Sequence, residues 1–179
     1  MNNRLELAKY FAELSLNKGA EVGVYRGYYS RELLQANPGL NLICIDSWSL
    51  NVGHGLKKHK KALPLCLETL APYRDRYTIL KGLSVEVSRL ILDESLDFVY
   101  IDADHEYEAV KADLRAWIPK VREGGMVAGH DYIEHDPSWK IDVIRAVDEY
   151  VKEHSIELHV TKASRRDSEP SWYFVKKTT

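Results

Sequence analysis

Ala20-Glu21-Val22-Gly23-Val24-Tyr25-Arg26-Gly27 is the stretch that decides how this chain reads. Its apolar residues form a short bounded run, which predicts a strand over Ala20–Val24, and a helical pattern begins at about Tyr28. Gly23 and Gly27 fall where strand turns into helix, so they remove side chains where a ligand would lie against the backbone. In an open α/β sheet, ligands bind beyond the carboxyl ends of the strands, and this loop follows the first of them. Glu21 adds a carboxylate to the same edge. The spacing is not G-x-G-x-x-G, whose glycines let a pyrophosphate sit on a helix N-terminus. A tight turn with no ligand is the bland alternative.

Upstream, Leu5, Ala8, Phe11 and Ala12 recur at helical spacing and predict a helix over residues 3–17, stopped by Gly19. Downstream, Leu40–Asp46, Tyr77–Leu80, Asp97–Asp102 and Met126–His130 are short apolar runs. They suit strands buried on both faces of a parallel sheet. Helical patterns separate most of them. Val110, Leu114, Trp117 and Ile118 share one helix face, as do Val143, Val147, Tyr150 and Val151. Gly124-Gly125 marks a turn from helix back to strand. Ile156–Val160 and Trp172–Val175 have no helix between them, so they are expected to pair as an antiparallel hairpin at one sheet edge. The expected fold is α/β: a doubly wound, mostly parallel Rossmann-like sheet with a C-terminal antiparallel hairpin, in a single domain over residues 1–179.

Composition agrees with a globular domain, at 45% hydrophobic and 29% charged residues. The formal net charge of −2 offers no global basic field, so nucleic acid is not an expected partner. Cys44 and Cys66 stand alone, without the paired spacing of a zinc site. No segment approaches the roughly 18 apolar residues of a membrane span, and the N-terminus carries no cleavage signal. A soluble, cytoplasmic protein with no membrane partner is expected. The one dense positive run, Leu56-Lys57-Lys58-His59-Lys60-Lys61, reads first as a solvated helix face and second as a lid for an acidic substrate.

Several residues at strand ends are candidates for a site. Asp46 ends the second strand about 20 residues past the glycine loop, where an acid can accept hydrogen bonds from both hydroxyls of a ribose. Ser47 and Trp48 follow, and Trp48 either flanks a base or packs in the core. Gly82 and Ser84 follow the third strand, and Ser84 is equally placed to cap a helix. Asp102 ends the fourth strand and His130-Asp131 the fifth, so two acids and a histidine converge on the ligand edge. His105 opens the helix after strand four as a site contact, a base or a cap. Tyr107 and Asp113 read as structural. His54 lies in the loop after strand two, and His59, His135, His154 and His159 read as surface residues.

The spacing E-x-G-x-x-x-G resembles motif I of class I methyltransferases. The run from Phe98 through Asp102-Ala103-Asp104-His105 to Trp117, with Gly124-Gly125 and His130-Asp131-Tyr132, closely resembles one subfamily of them. That group contains macrocin-type sugar O-methyltransferases and relatives of the cephalosporin biosynthesis enzyme, and the resemblance runs from about Gly19 to Val151. It implies S-adenosylmethionine as cofactor, whose ammonium and sulfonium suit an acid near the loop. The implied contacts are Glu21, Gly23, Tyr25, Gly27, Asp46, Ser47, Trp48, Gly82, Ser84, Asp102, Ala103 and His105. It also implies a divalent metal such as Mg²⁺ or Mn²⁺ on Asp102, His130 and Asp131, which are the catalytic candidates. His130 departs from the acid of better-known members and favours a transition metal. Tyr132 stands where catechol-type relatives carry Asn. Without a metal, His130 acts as the base. The implied reaction is O-methyl transfer to a small polar acceptor. The chain is short for the subfamily, so a lid from a second subunit, and hence a homo-oligomer, is expected. A non-catalytic S-adenosylmethionine-binding sensor or partner subunit and an NAD-linked oxidoreductase are the alternatives.

Overall fold

The computed structural model describes residues 1–48, 61–134, 138, 140–163 and 168–177. Leu56–Lys60 of the basic run, His54, His135 and Trp139 lie outside the described residues. One sheet of seven strands organises the rest: β1 (Lys18–Val22), β2 (Asn41–Asp46), β3 (Tyr77–Lys81), β4 (Leu96–Ile101), β5 (Val121–Gly129), β6 (His159–Val160) and β7 (Trp172–Val175). The spatial order is β3-β2-β1-β4-β5-β7-β6. The first five strands are parallel. β7 runs antiparallel beside β5, and β6 pairs antiparallel with β7 at the edge. The expected hairpin is thus present, with its second strand on the inside.

Alternation along each strand builds two cores, as a period of two requires. Leu42, Cys44, Phe98, Tyr100, Met126 and Ala128 face helices α1 (Arg4–Glu13), α2 (Tyr28–Ala36) and α3 (Ala62–Leu70). Ala20, Val22, Ile45, Val99, Ile101, Val127, Trp172 and Phe174 face α4 (Ser84–Ser88), α5 (Tyr107–Trp117) and α6 (Val143–Glu153). No described helix is long and apolar enough to cross a membrane.

Three boundaries differ from the sequence reading, each for a tertiary reason. α1 does not run to residue 17. Asn3 caps its start by accepting from the amides of Leu5 and Glu6, and a Schellman turn ends it. Ser15 takes a left-handed φ of 55°, and the Leu16 amide donates to the Phe11 carbonyl at 3.0 Å. Gly19 therefore is no helix stop but a β1 residue, where a Cβ would sit 2.1 Å from the Phe98 ring. Gly124-Gly125 is likewise not a turn before the strand. Val121 pairs with Leu96 and Met126 with Phe98, so residues 122–125 bulge opposite the single residue Asp97. Finally, β6 is shorter than Ile156–Val160, because the Ile156 amide closes a second Schellman turn on Val151 at 2.8 Å.

Candidate functional site

The carboxyl ends of β1, β2 and β4 open onto one cleft of about 670 Å³, a size suited to a small ligand. Of the residues expected to bind a cofactor, Gly23, Tyr25, Asp46, Ser47, Gly82, Ser84, Asp102 and Ala103 line it. Gly23 brings the strand ends together. Its φ is +96°, and a Cβ there would meet the Asp102 carbonyl oxygen at 1.9 Å. Only glycine lets β1 pass this close to the end of β4. Asp46 organises the loop from the other side. Its Oδ2 accepts from the Tyr25 amide and its Oδ1 from the Trp48 amide, both at 2.7 Å. Tyr25 (φ 51°) and Trp48 (φ 39°) are both left-handed, a conformation that costs about 1–3 kcal/mol for such residues. The two charge-assisted bonds to Asp46 offset that strain.

Glu21, Gly27, Trp48 and His105, expected on the ligand, do not line the cleft. Glu21 is 2% exposed on the α1–α3 side of β1, where Ser30 Oγ donates to it at 2.5 Å. Burial pushes its carboxyl up to about 8, against the opposing Ser30 hydrogen bond. It is thus a neutral acid at pH 7 and not a ready anion at the edge. Gly27 caps α2 with a φ of 75° and packs under Cys66 and Leu70 of α3. Trp48 is a core residue, 6% exposed, with Nε1 donating to the Tyr25 carbonyl at 2.8 Å. Ser84 does not cap α4. Its hydroxyl donates to Asp113 Oδ1 and accepts from Trp117 Nε1.

His105 turns instead toward carboxylates. Its Nε2 lies 3.0 Å from Asp131 Oδ2 and 3.5 Å from Asp102 Oδ1. Burial opposes a charged imidazole here, but the two carboxylates outweigh it and push His105 up to about 10. Burial alone would raise the Asp131 carboxyl, yet His105 and His130 hold it well below the usual carboxylate range. Despite the short distances, His105 Nε2 is buried without a well-angled hydrogen bond. Donor atoms of Asp102, His105 and Asp131 lie within 4.8 Å of one another. A buried nitrogen not closed by protein contacts, beside two carboxylates, is a donor set that fits a divalent transition metal. This trio differs from the expected Asp102, His130 and Asp131. His130 is 7% exposed, with Nδ1 3.3 Å from Asp131 Oδ2 and 4.0 Å from Asp102 Oδ2, and it supports Asp131 from behind. The left-handed Asp131 (φ 54°) redirects the chain just after His130.

Sequence reasoning missed three residues at this edge. Arg4 of α1 reaches to 3.7 Å from Asp102 and lies over the Tyr29 ring. Ser30 holds Glu21. Asp113 lines the cleft, and its spacing from Ala109 and Ala112, one face of α5, was the available signal.

Residues 20–132 match the family model described as a methyltransferase domain. No curated protein matches the sequence. Solved structures share the fold at low identity. An O-methyltransferase from Bacillus cereus in complex with SAH has a TM-score of 0.74 at 16% identity, over 97% of this chain and 80% of that one. The O-methyltransferase TomG from Streptomyces achromogenes, involved in tomaymycin synthesis and in complex with SAM, has a TM-score of 0.71 at 16% identity, over 98% and 80%. The family match spans more than half of the chain and takes in the glycine loop, Asp46, Asp102 and Asp131 of the cleft edge just described: this chain belongs to the methyltransferase domain family.

Proposed function

We propose that the protein transfers a methyl group from S-adenosylmethionine to a hydroxyl of a small polar acceptor, as a relative of the macrocin-type O-methyltransferases. One observation carries the choice of cofactor. Among the described residues, the cleft lining holds five acids, Asp46, Glu86, Asp102, Asp104 and Asp113, and no Lys, Arg or His. Such a lining favours a cationic ligand and repels the pyrophosphate of NAD. When bound, S-adenosylmethionine would supply a methyl group from its sulfonium to the acceptor oxygen, with the thioether as leaving group and the acceptor proton passing to water.

The chain's own work is binding and alignment. Asp46, fixed by two amides, keeps lone pairs for ribose hydroxyls. Gly23 lets the ligand lie against the backbone. Asp102 stands both on the cleft and in the trio with His105 and Asp131, so the acceptor is expected at that end. A divalent ion held by Asp102, His105 and Asp131 would lower the pKa of an acceptor hydroxyl. His130, behind Asp131, orients that carboxylate. The experiment is release of S-adenosylhomocysteine over a panel of hydroxylated acceptors. Asp131→Ala is expected to lose turnover while still binding the cofactor product. Near-normal turnover in that variant removes Asp131 from the mechanism. Cofactor binding with no turnover on any acceptor favours the non-catalytic sensor.

A further inference from the structure

Arg26 stands in the glycine loop between Tyr25, which lines the cleft, and Gly27, which caps α2. The residue is half-buried, and its Nε is sealed from solvent without a hydrogen-bond partner. Its guanidinium lies 4.9 Å from the centre of the Tyr25 ring, and among the described residues it makes no ion pair. A ring face attracts a cation but leaves most N–H donors of a guanidinium unfilled. The acids of this edge are engaged elsewhere. Asp46 accepts from two amides, Asp102 faces Arg4 at 3.7 Å, and Glu21 is buried and neutral at pH 7. A guanidinium held by its stem and left without an acceptor is costly unless an anion meets it. Arg26 is not part of the cleft lining, so the anion that suits it lies outside the space the cofactor would fill. The acids that line that space would also turn an anionic acceptor group away from it, toward Arg26.

We infer that Arg26 selects the acceptor by a carboxylate: its guanidinium pairs with that group while the acceptor's hydroxyl lies at the Asp102 end. The inference rests on the proposed methyl transfer and adds to it a substrate class, the hydroxylated carboxylic acids. Arg26 follows Gly23 by three residues, so the two Cα atoms stand within about 11 Å of each other. Gly23 in turn packs against the Asp102 carbonyl. One small molecule can span that separation. A guanidinium carries a single charge and presents paired N–H donors in one plane, which matches a carboxylate in both charge and shape. A dianionic phosphate would call for a second cation, and Arg4 is already taken up by Asp102.

The test is ligand-observed NMR on the protein saturated with S-adenosylhomocysteine, using 4-hydroxybenzoate, mandelate and gluconate, each against its own carboxamide. At least one acid is expected to bind the wild-type protein about tenfold or more tightly than its amide. Arg26→Gln removes the charge, so that ratio should fall to about one, whereas Arg26→Lys should keep part of it. Affinity for S-adenosylhomocysteine should be unchanged in both variants. No preference for any acid in the wild-type protein overturns the inference without a variant, and so does a preference that survives in Arg26→Gln. Loss of about tenfold or more in S-adenosylhomocysteine affinity in a folded Arg26→Gln protein overturns it as well, by assigning the guanidinium to the cofactor's own carboxylate. Failure of S-adenosylhomocysteine to bind the wild-type protein overturns the cofactor reading, a result distinct from the absence of an acid preference.

Discussion

Replacing Glu21 by Gln should stabilise the protein, and by an amount that depends on pH. The carboxyl is buried, and its ordinary value of 4.5 is raised to about 8. Between those values the folded protein keeps a proton that the unfolded chain releases, so stability falls as pH rises. At about 1.36 kcal/mol for each pH unit, the cost is nil below pH 4.5, about 3 kcal/mol at pH 7 and about 5 kcal/mol above pH 8. Gln mimics the neutral acid in shape, and its amide oxygen can still accept from Ser30. Urea denaturation of both proteins at pH 4.5, 6, 7 and 8 measures the difference directly. It should be close to zero at pH 4.5 and grow to about 3 kcal/mol in favour of Gln at pH 7, about 10 °C in Tm for a chain this size. A difference that stays constant across this range would refute a neutral buried Glu21 and restore it as a carboxylate at the site.

The two loop glycines should differ sharply. Gly23→Ala places a Cβ 1.9 Å from a carbonyl oxygen and should cost more than about 3 kcal/mol or prevent folding, whereas Gly27→Ala meets only side chains, Cys66 Sγ at 3.1 Å and Leu70 at 3.2 Å, with a left-handed φ and should cost about 1–2 kcal/mol; thermal melts showing the reverse order would contradict the loop geometry. Asp46→Ala removes the bonds that hold Tyr25 and Trp48 left-handed, so a loss of about 3 kcal/mol in urea titration and a weakening of S-adenosylhomocysteine binding should come together. Mn²⁺ titration should lose its heat signal in His105→Ala and in Asp131→Ala but keep a weaker one in His130→Ala. Loss in His130→Ala alone would return the metal to the set expected from sequence.

The fold was legible where a residue's role depends on its neighbours in sequence. Trp172–Val175 is a short continuous run of aromatic and β-branched residues and is a strand with those bounds. Tyr28 follows a left-handed glycine and starts α2. Roles that depend on distant contacts were not legible. Gly19 looks like a helix stop until the Phe98 ring, far along the chain, is seen to occupy its Cβ position. The site divides the same way. Asp46 and Gly23, expected at the ligand edge, line the cleft, because a loop after a strand carries that edge with it. His130-Asp131 reads as a ligand pair because the two are adjacent, but the left-handed turn at Asp131 leaves His105 as the nitrogen between the carboxylates. Asp113, expected as structural, does hold Ser84 across two helices, and its place on the cleft wall depends on that distant packing.

The measurement that tests the central claim most directly is calorimetric titration of the purified protein with S-adenosylhomocysteine, with and without Mn²⁺, and with NAD as a control. Saturable binding of S-adenosylhomocysteine in the micromolar range and none of NAD are expected, since the acid-lined cleft accepts a nucleoside that carries an ammonium group and not a pyrophosphate. No binding of S-adenosylhomocysteine under either condition, or binding of NAD in its place, would contradict that claim.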